Sequence, residues 1–544
     1  MRSAYSSRIA AAVAGLTCLA FLPTLSNGWV GFDDNLFIPR NPHLSPLSAK
    51  NLGWMFSSLY GNHYHPLTWL SLAVNLAVAG PGPLSFHLTD LAIHAGSAVL
   101  FFHIARRLLA GSEPAAAAAA LFFSIHPLRV ESVAWAIERR DVLSGVFYLA
   151  TILAHLKAVD EPRGKWRPLS WLFYGLSLLS KSIGITLPLA LLLLDAYPLK
   201  RGIRWKEKLP FFLLAACAAL PAFIAEADNG STQGLELYPL AQRLATAAFG
   251  LAFYLRKTLL PLGLLPLYEI PRPFDATAPR FLLSAAAAGL VAAGLIAARK
   301  RRPAEAAAGL YYLITVAPVL GLVRFGPQVA ADRYSYLSCL GWALLFGAAV
   351  ERFKLKAAAV VVLTLFGVLT WRQTARWHDA LTLWNYALAE DPRVAMGQQH
   401  LAYALAGRGR YAEAIPHYRE AVQLRPDYWI ALNNLGYALA SVGRLEEACA
   451  EYRRALSFKT GYWEAHSNLG LALGRLKRID EAEAEFREAL RVAPDEPGLH
   501  ENLGLVYFTR GRRTEAEAEF RRALELDANQ RQPRLMLQRM GLVP

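Results

Sequence analysis

Two adjacent carboxylates, Asp33 and Asp34, follow the first apolar segment, in the stretch Gly31-Phe32-Asp33-Asp34-Asn35. Like charges this close raise each other's pKa, and holding them together at a membrane surface is costly. Such a pair suits a site that takes a proton from a hydroxyl or attracts a cation, including a divalent metal ion. The competing reading is a solvated turn, for which Phe-Asp-Asp-Asn is good chemistry. Other ionisable residues recur in short polar stretches: His65 before Pro66; His126, Arg129, Glu131, Glu138, Arg139, Arg140 and Asp141; Lys181 between two serines; and Asp332-Arg333. Each has a structural reading as well. Lys181 could snorkel from a turn and Arg333 could anchor an outer face. Glu131 could pair with Arg129 or Arg139, and His126-Pro127 could be a helix-end turn.

These residues need positioning elements. The chain has 544 residues, of which 54% are hydrophobic, and a mean hydropathy of +0.25. Up to about residue 371 it repeatedly shows apolar runs near the length that crosses a bilayer, and from Trp377 it turns charged and amphipathic. We therefore expect an all-α protein: a polytopic membrane domain over residues 1–375 and a soluble helical domain over 376–544. The formal charge of +15 sits largely in clusters flanking apolar runs (Arg106-Arg107, Lys200-Arg201, Arg299 to Arg302, Arg352 with Lys354), a positive-inside footprint that argues against a nucleic-acid partner. Cys18, Cys217, Cys339 and Cys449 form neither a disulfide framework nor a metal-ligand spacing. Arg2 and Arg8 precede residues 9–26, read as a retained first span rather than a cleaved leader.

Eleven spans follow from the hydropathy: about 9–26, 84–105, one beginning at the run Ala115 to Ala120, 142–156, 168–180, 183–198, 209–225, 281–298, 306–323, 335–350 and 357–371. The run after His65-Pro66 is too short to span and reads as an interfacial helix. Residues 244–266 read as re-entrant or surface-lying, because a crossing there would put Arg299 to Arg302 on the wrong side. The N-terminus then lies inside and the C-terminal domain outside. Asp33-Asp34, His65, the 126–141 stretch, Lys181, the Glu226 to Arg280 segment and Arg324 to Tyr334 share the outer face. A transporter would carry its ionisable residues at mid-membrane instead.

The C-terminal domain repeats with a period of 34. Leu401, Leu435, Leu469 and Leu503 align, as do Ala414, Ala448, Ala482 and Ala516, then Tyr418, Tyr452, Phe486 and Phe520, with Gly436, Gly470 and Gly504 at a small position. These are four tetratricopeptide repeats over residues 393–528. Ala380, Trp384, Ala387 and Pro392 fit half of an earlier unit whose first helix is the last span, which implies a rigid junction. His400, Asn434, Asn468 and Asn502 share one inner-helix register, where asparagine amides can bind an extended peptide. Asparagine is also simply common at this position.

The ordered motifs Phe32-Asp33-Asp34, His65-Pro66-Leu67-Thr68, His126-Pro127 with Glu131-Ser132-Val133-Ala134-Trp135, Asp141-Val142-Leu143-Ser144, Ser180-Lys181-Ser182 and Ala331-Asp332-Arg333-Tyr334-Ser335-Tyr336-Leu337, followed by the repeats, resemble the transmembrane-and-tetratricopeptide-repeat proteins. The eukaryotic members are O-mannosyltransferases, and more broadly the chain is similar to GT-C glycosyltransferases, which use polyprenyl-phosphate-linked sugars. Where that family tends to have Tyr-Arg-Pro-Leu, this chain has Tyr64-His65-Pro66-Leu67. The resemblance implies that Asp33 or Asp34 is the catalytic base, with the other orienting it or helping to hold a divalent metal. It implies that Lys181, Arg333, His65 and Arg139 meet the donor phosphate, with Glu131, Asp141 or His126 in support. The expected function is transfer of a sugar, mannose by family default, from a polyprenyl-phosphate carrier to Ser or Thr of a polypeptide presented by the repeats. A glycan or lipid acceptor, or a non-catalytic membrane scaffold, remain as alternatives. The alanine- and arginine-rich composition looks bacterial, which would make the outer face periplasmic.

Overall fold

The computed structural model describes residues 2–31, 33–60, 64–228, 239–322 and 328–542. Phe32 of the acidic stretch, Arg324 and residues 229–238 of the ambiguous segment lie outside the described residues. The described chain is almost wholly helical, with Tyr268–Glu269 and Gln328–Ala330 paired as a short antiparallel ribbon. It divides into two compact units, Met1–Tyr386 and Ala387–Pro544.

In the first unit four stretches are long and apolar enough to cross a bilayer: Pro83–Leu108, Ala136–Asp160, Pro279–Ala298 and Lys356–Arg376. Pro279–Ala298 leaves nearly all of its apolar surface uncovered, as a lipid-facing helix would. Helices also occupy the other expected spans: Arg2–Ala20, Glu113–Ser124, Trp166–Ser180, Leu187–Ala196, Trp205–Asp228, Pro303–Val316 and Leu340–Arg352. The first of these stops before Pro23, and a 3-10 turn, Leu22–Ser26, takes up the end of the expected 9–26 span. Glu113–Ser124 has 12 residues and so reaches only about 18 Å. Ser112 caps it by accepting from Ala115 N, and its alanines admit a close neighbour. A Cβ at Gly347 of Leu340–Arg352 would come 2.3 Å from the Ala115 carbonyl oxygen, so the two helices touch backbone to backbone.

The helix after His65, Pro66–Ala79, buries Thr68, Trp69, Leu72 and Ala73 and is packed into the unit rather than laid on its surface. The 244–266 segment is a helix, Leu240–Leu259, that ends before Pro261. Lys257 turns back to donate to the carbonyls of Leu262 (2.5 Å) and Gly263 (2.7 Å), which satisfies backbone beyond the helix end.

The second unit stacks helix pairs: Ala395–Ala406 with Tyr411–Leu424, Trp429–Ser441 with Leu445–Phe458, Trp463–Arg475 with Ile479–Val492, and Pro497–Thr509 with Arg513–Leu526, closed by Arg531–Arg539. The aligned leucines, alanines and aromatics are buried. Tyr452, Phe486 and Phe520 lie so close to Gly436, Gly470 and Gly504 that a Cβ there would stand 2.7, 2.9 and 2.7 Å from the ring. That contact is the physical reason for the small position in the repeat.

Candidate active site

The 3-10 turn Ala136–Glu138 leads into the helix Arg139–Asp160 and places Glu138 at the centre of an ionic cluster. Glu138 is fully buried and meets three cations. Arg140 pairs with it through two guanidinium nitrogens, Lys181 Nζ lies 3.0 Å away and Arg333 Nε 3.4 Å away. The same cations reach further acids. Lys181 donates to Asp141 Oδ1 at 2.6 Å, and Arg333 is paired with Glu131 through both its guanidinium and its backbone N–H. Glu131 thus pairs with Arg333 and not with Arg129 or Arg139. Burying so many charges is tolerable only because nearly every one has a partner.

Three stretches far apart in sequence build this cluster. Lys181 sits in extended backbone between Trp166–Ser180 and the 3-10 turn Ser182–Thr186. Thr68 Oγ1 donates to the Ser180 carbonyl (2.9 Å) and Ser144 Oγ to the Lys181 carbonyl (3.2 Å), which fixes that turn. Arg333 rides on the turn Asp332–Ser335, whose neighbours are tied on every side: Tyr268 donates to Asp332 (3.0 Å), Gln328 to the Tyr334 hydroxyl (2.6 Å), Arg129 to Ser335 Oγ (2.6 Å), and the Tyr336 hydroxyl meets His94 Nδ1 (2.8 Å). A Cβ at Gly145 would stand 2.4 Å from the Tyr336 ring, so only glycine lets this turn close on the helix. Burial, with Glu131 adding to it, pushes Asp332 up to about 8.

The two aspartates have separated roles. Asp34 is buried, and its two carboxylate oxygens accept the backbone N–H groups of Val30 (3.2 Å) and Ile137 (3.1 Å). It staples its loop to the turn that carries Glu138, and burial pushes it up to about 7. Asp33, at the start of the four-residue helix Asp34–Phe37, accepts from Phe37 N through its backbone carbonyl (3.0 Å), while its carboxylate makes no hydrogen bond or ion pair among the described residues. Burial raises its pKa, against the attraction of the Arg140 guanidinium. Asp33 is therefore the uncommitted carboxylate beside the cluster.

Two expected site residues are committed elsewhere. Arg139 is fully buried, paired with Asp90 (2.6 Å) and donating to the carbonyls of Ser71 and Phe86, so its guanidinium is held by those partners and sealed from solvent. Arg140, one residue on, occupies the cluster in its place. His126 accepts from Leu128 N (3.2 Å) through Nδ1 and meets the Thr258 carbonyl (3.0 Å) through Nε2, which makes it a helix-end cap rather than support for a carboxylate. His65 is buried on an aromatic cluster, its ring 5.5 Å from that of Trp69. Glu138 and Arg140 were visible in the sequence as part of one charged run, without a signal that singled them out.

Among the described residues no group of three His, Cys, Asp or Glu side chains is arranged to hold a metal ion. The Asp33–Asp34 pair finds no third such ligand among the described residues.

In the second unit His400, Asn434, Asn468 and Asn502 are all partly exposed at one register. Asn468 Nδ2 donates to Asn433 of the preceding repeat (3.0 Å). Three positions further on in their helices, Tyr403, Tyr437 and Leu471 stand exposed, an apolar lane beside the amides that the asparagine spacing alone did not reveal.

Residues 65–226 match the dolichyl-phosphate-mannose-protein mannosyltransferase family, and residues 372–428, 400–462 and 467–531 match a tetratricopeptide-repeat family. The chain is thus all-α and similar to a mannosyltransferase family in one segment and to tetratricopeptide repeats in another. It is 25% identical over 498 residues to Protein O-mannosyl-transferase TMTC1 of Homo sapiens, covering 78% of this chain and 56% of that protein. It is 26% identical over 548 residues to Protein O-mannosyl-transferase Tmtc1 of Drosophila melanogaster, covering 78% of this chain and 63% of that protein. The chain therefore spans less than two thirds of these curated relatives. Among solved structures, the crystal structure of MamA is 25% identical, covering 27% of this chain and 87% of that chain, with a TM-score of 0.27.

Proposed function

We propose that the chain is an integral membrane glycosyltransferase that moves a sugar, mannose by analogy with its named relatives, from a polyprenyl-phosphate carrier to a Ser or Thr hydroxyl of a polypeptide. The observation that carries this reading is one carboxylate without a side-chain partner among the described residues, Asp33, beside a cluster in which Arg140, Lys181 and Arg333 converge on Glu138.

In this mechanism the acceptor oxygen attacks the anomeric carbon as Asp33 takes the hydroxyl proton. The bond from that carbon to the phosphate oxygen breaks with its electron pair, the configuration inverts, and polyprenyl phosphate leaves. A phosphate leaving group needs charge neutralisation rather than a protonating acid. Arg140, Lys181 and Arg333 supply it by exchanging contacts with Glu131, Glu138 and Asp141 for phosphate oxygens. Asp34 positions the turn, and no metal is assigned a step. His400, Asn434, Asn468 and Asn502 hold the acceptor backbone. The positive-inside pattern supports a cytoplasmic N-terminus, and composition supports a bacterial inner membrane with a periplasmic acceptor.

The test is sugar transfer by purified protein in nanodiscs, from polyprenyl-phosphate-mannose to a Ser/Thr-rich polypeptide. Transfer by the wild type that is lost in Asp33→Asn is the expected result. Equal transfer by both would remove Asp33 as the base, and no transfer by the wild type would return the chain to the scaffold reading.

A further inference from the structure

The helices Pro83–Leu108 and Arg139–Asp160 run side by side: Arg139 meets Asp90 near their starts and Arg107 meets Asp160 at their ends. Eighteen residues of helix separate Arg139 from Lys157, roughly 27 Å. At this far end lies a polar cavity of about 1070 Å³, lined by none of the residues of the Glu138 cluster. Its wall carries Arg106, Arg107 and Lys157, with Tyr5, His103, Glu113 and Asp160, and Leu153 and Leu156 are its apolar lining.

The charges do not cancel. Arg107 is spent on Asp160 in a two-point pair (3.1 and 2.7 Å). Arg106 donates to Ser6 Oγ (2.6 Å) and stands 3.4 Å from Glu113, a weak contact. Lys157 has no carboxylate partner among the described residues, and its ammonium rests 4.0 Å over the Trp166 ring. Arg106 and Lys157 against Glu113 leave one unit of positive charge. Ordinary positive-inside residues splay into water, whereas these converge on a concavity with leucines in its wall.

We propose that this cavity binds a phosphate-bearing monoanion, the headgroup of an anionic phospholipid of the adjoining leaflet. One surplus charge matches a phosphodiester, the two cations can each donate to its oxygens, and the leucines accept the first carbons of the acyl chains. The ligand is distinct from the sugar donor, and the site does not depend on the transferase reading.

The experiment reconstitutes the full-length protein in phosphatidylcholine nanodiscs containing a minor fraction of phosphatidylglycerol, and counts bound lipid by native mass spectrometry. The wild type is expected to retain phosphatidylglycerol over phosphatidylcholine. Arg106→Gln and Lys157→Gln should each lower retention about fivefold, while Lys157→Arg keeps it. Arg299→Gln, in a basic cluster outside the cavity, should leave it unchanged. Equal retention in Arg106→Gln, Lys157→Gln and wild type overturns the proposal, as does retention lost equally in Arg299→Gln. Added inorganic phosphate separates the sources: binding of phosphate with no enrichment of phosphatidylglycerol overturns the lipid assignment. Enrichment that phosphate weakens supports both the chemistry and the source.

Discussion

Two buried carboxylates of the first unit, Glu138 and Asp195, each collect three basic partners, and they differ in where those partners come from. Asp195 meets Lys208 (2.5 Å), Arg201 (3.3 Å) and His155 (3.4 Å), with Glu207 drawing on Arg201 as well. Most of that set lies within fourteen residues of chain, and Lys208 and Asp195 are both sealed from solvent. It latches Leu187–Ala196 to Trp205–Asp228. The Glu138 partners come from residues 140, 181 and 333, their side chains keep 10%, 16% and 9% exposure, and each of the last two also holds a further acid. One set is a mostly local clasp, whose Arg201 is 20% exposed. The other is assembled from distant segments and has beside it a carboxylate with no side-chain partner among the described residues.

Breaking each cluster should therefore have different consequences. The largest effect expected is Asp33→Asn, which should lower the transfer rate by about 10² to 10⁴, the usual contribution of a general base, with little change in melting temperature because the Asp33 carboxylate has no hydrogen-bond or ion-pair partner among the described residues. Steady-state kinetics and a melting curve on the same preparation check both halves. Next, Glu138→Gln and Asp195→Asn should each cost about 3 kcal/mol, since both strand buried cations. Only Glu138→Gln should also raise the donor KM in the folded fraction; a comparable KM rise in Asp195→Asn would erase the distinction.

A sharper contrast lies between adjacent arginines. Arg139→Met should destabilise by about 3 kcal/mol through the orphaned Asp90 and leave donor affinity unchanged in folded protein. Arg140→Met should weaken donor affinity about tenfold, the order of one charge-assisted contact. Titration with donor after size-exclusion separates the two. The smallest effect is on pH dependence. Asp34 is raised to about 7 in the fold from an ordinary value near 4 when unfolded. The folded protein therefore keeps a proton that the unfolded chain has lost, so this contribution is full below about pH 4 and fades as pH rises through about 7. Asp34→Asn should flatten that slope, read as melting temperature at the two ends of the window.

What could be read from the sequence follows the same division between local and distant. The repeats were legible because each contact recurs at a period of 34 and joins helices that are neighbours in the chain, so leucines, alanines and glycines declare their own positions. The polar stretches and their convergence were legible from hydropathy. Which member of each adjacent pair faces the site was not. Consecutive helical residues point about 100° apart, so the reading of Arg139 against Arg140 depends on the first residue of one helix, and sequence leaves that open by several positions. The same holds for Asp33 and Asp34, separated here by two backbone N–H groups that only the folded loop presents. The Asp195 clasp was hidden differently: Lys200-Arg201 and their neighbours read as one more basic membrane flank, which masked Arg201's ion pair.

The most direct measurement is binding of polyprenyl phosphate, the carrier that the proposed transfer would release, to detergent-purified wild type, Arg140→Met and Lys208→Met. If the Glu138 cluster receives the phosphate, Arg140→Met binds about tenfold more weakly and Lys208→Met, although less stable, binds like the wild type. Binding that survives intact in Arg140→Met, or falls equally in Lys208→Met, would contradict that assignment.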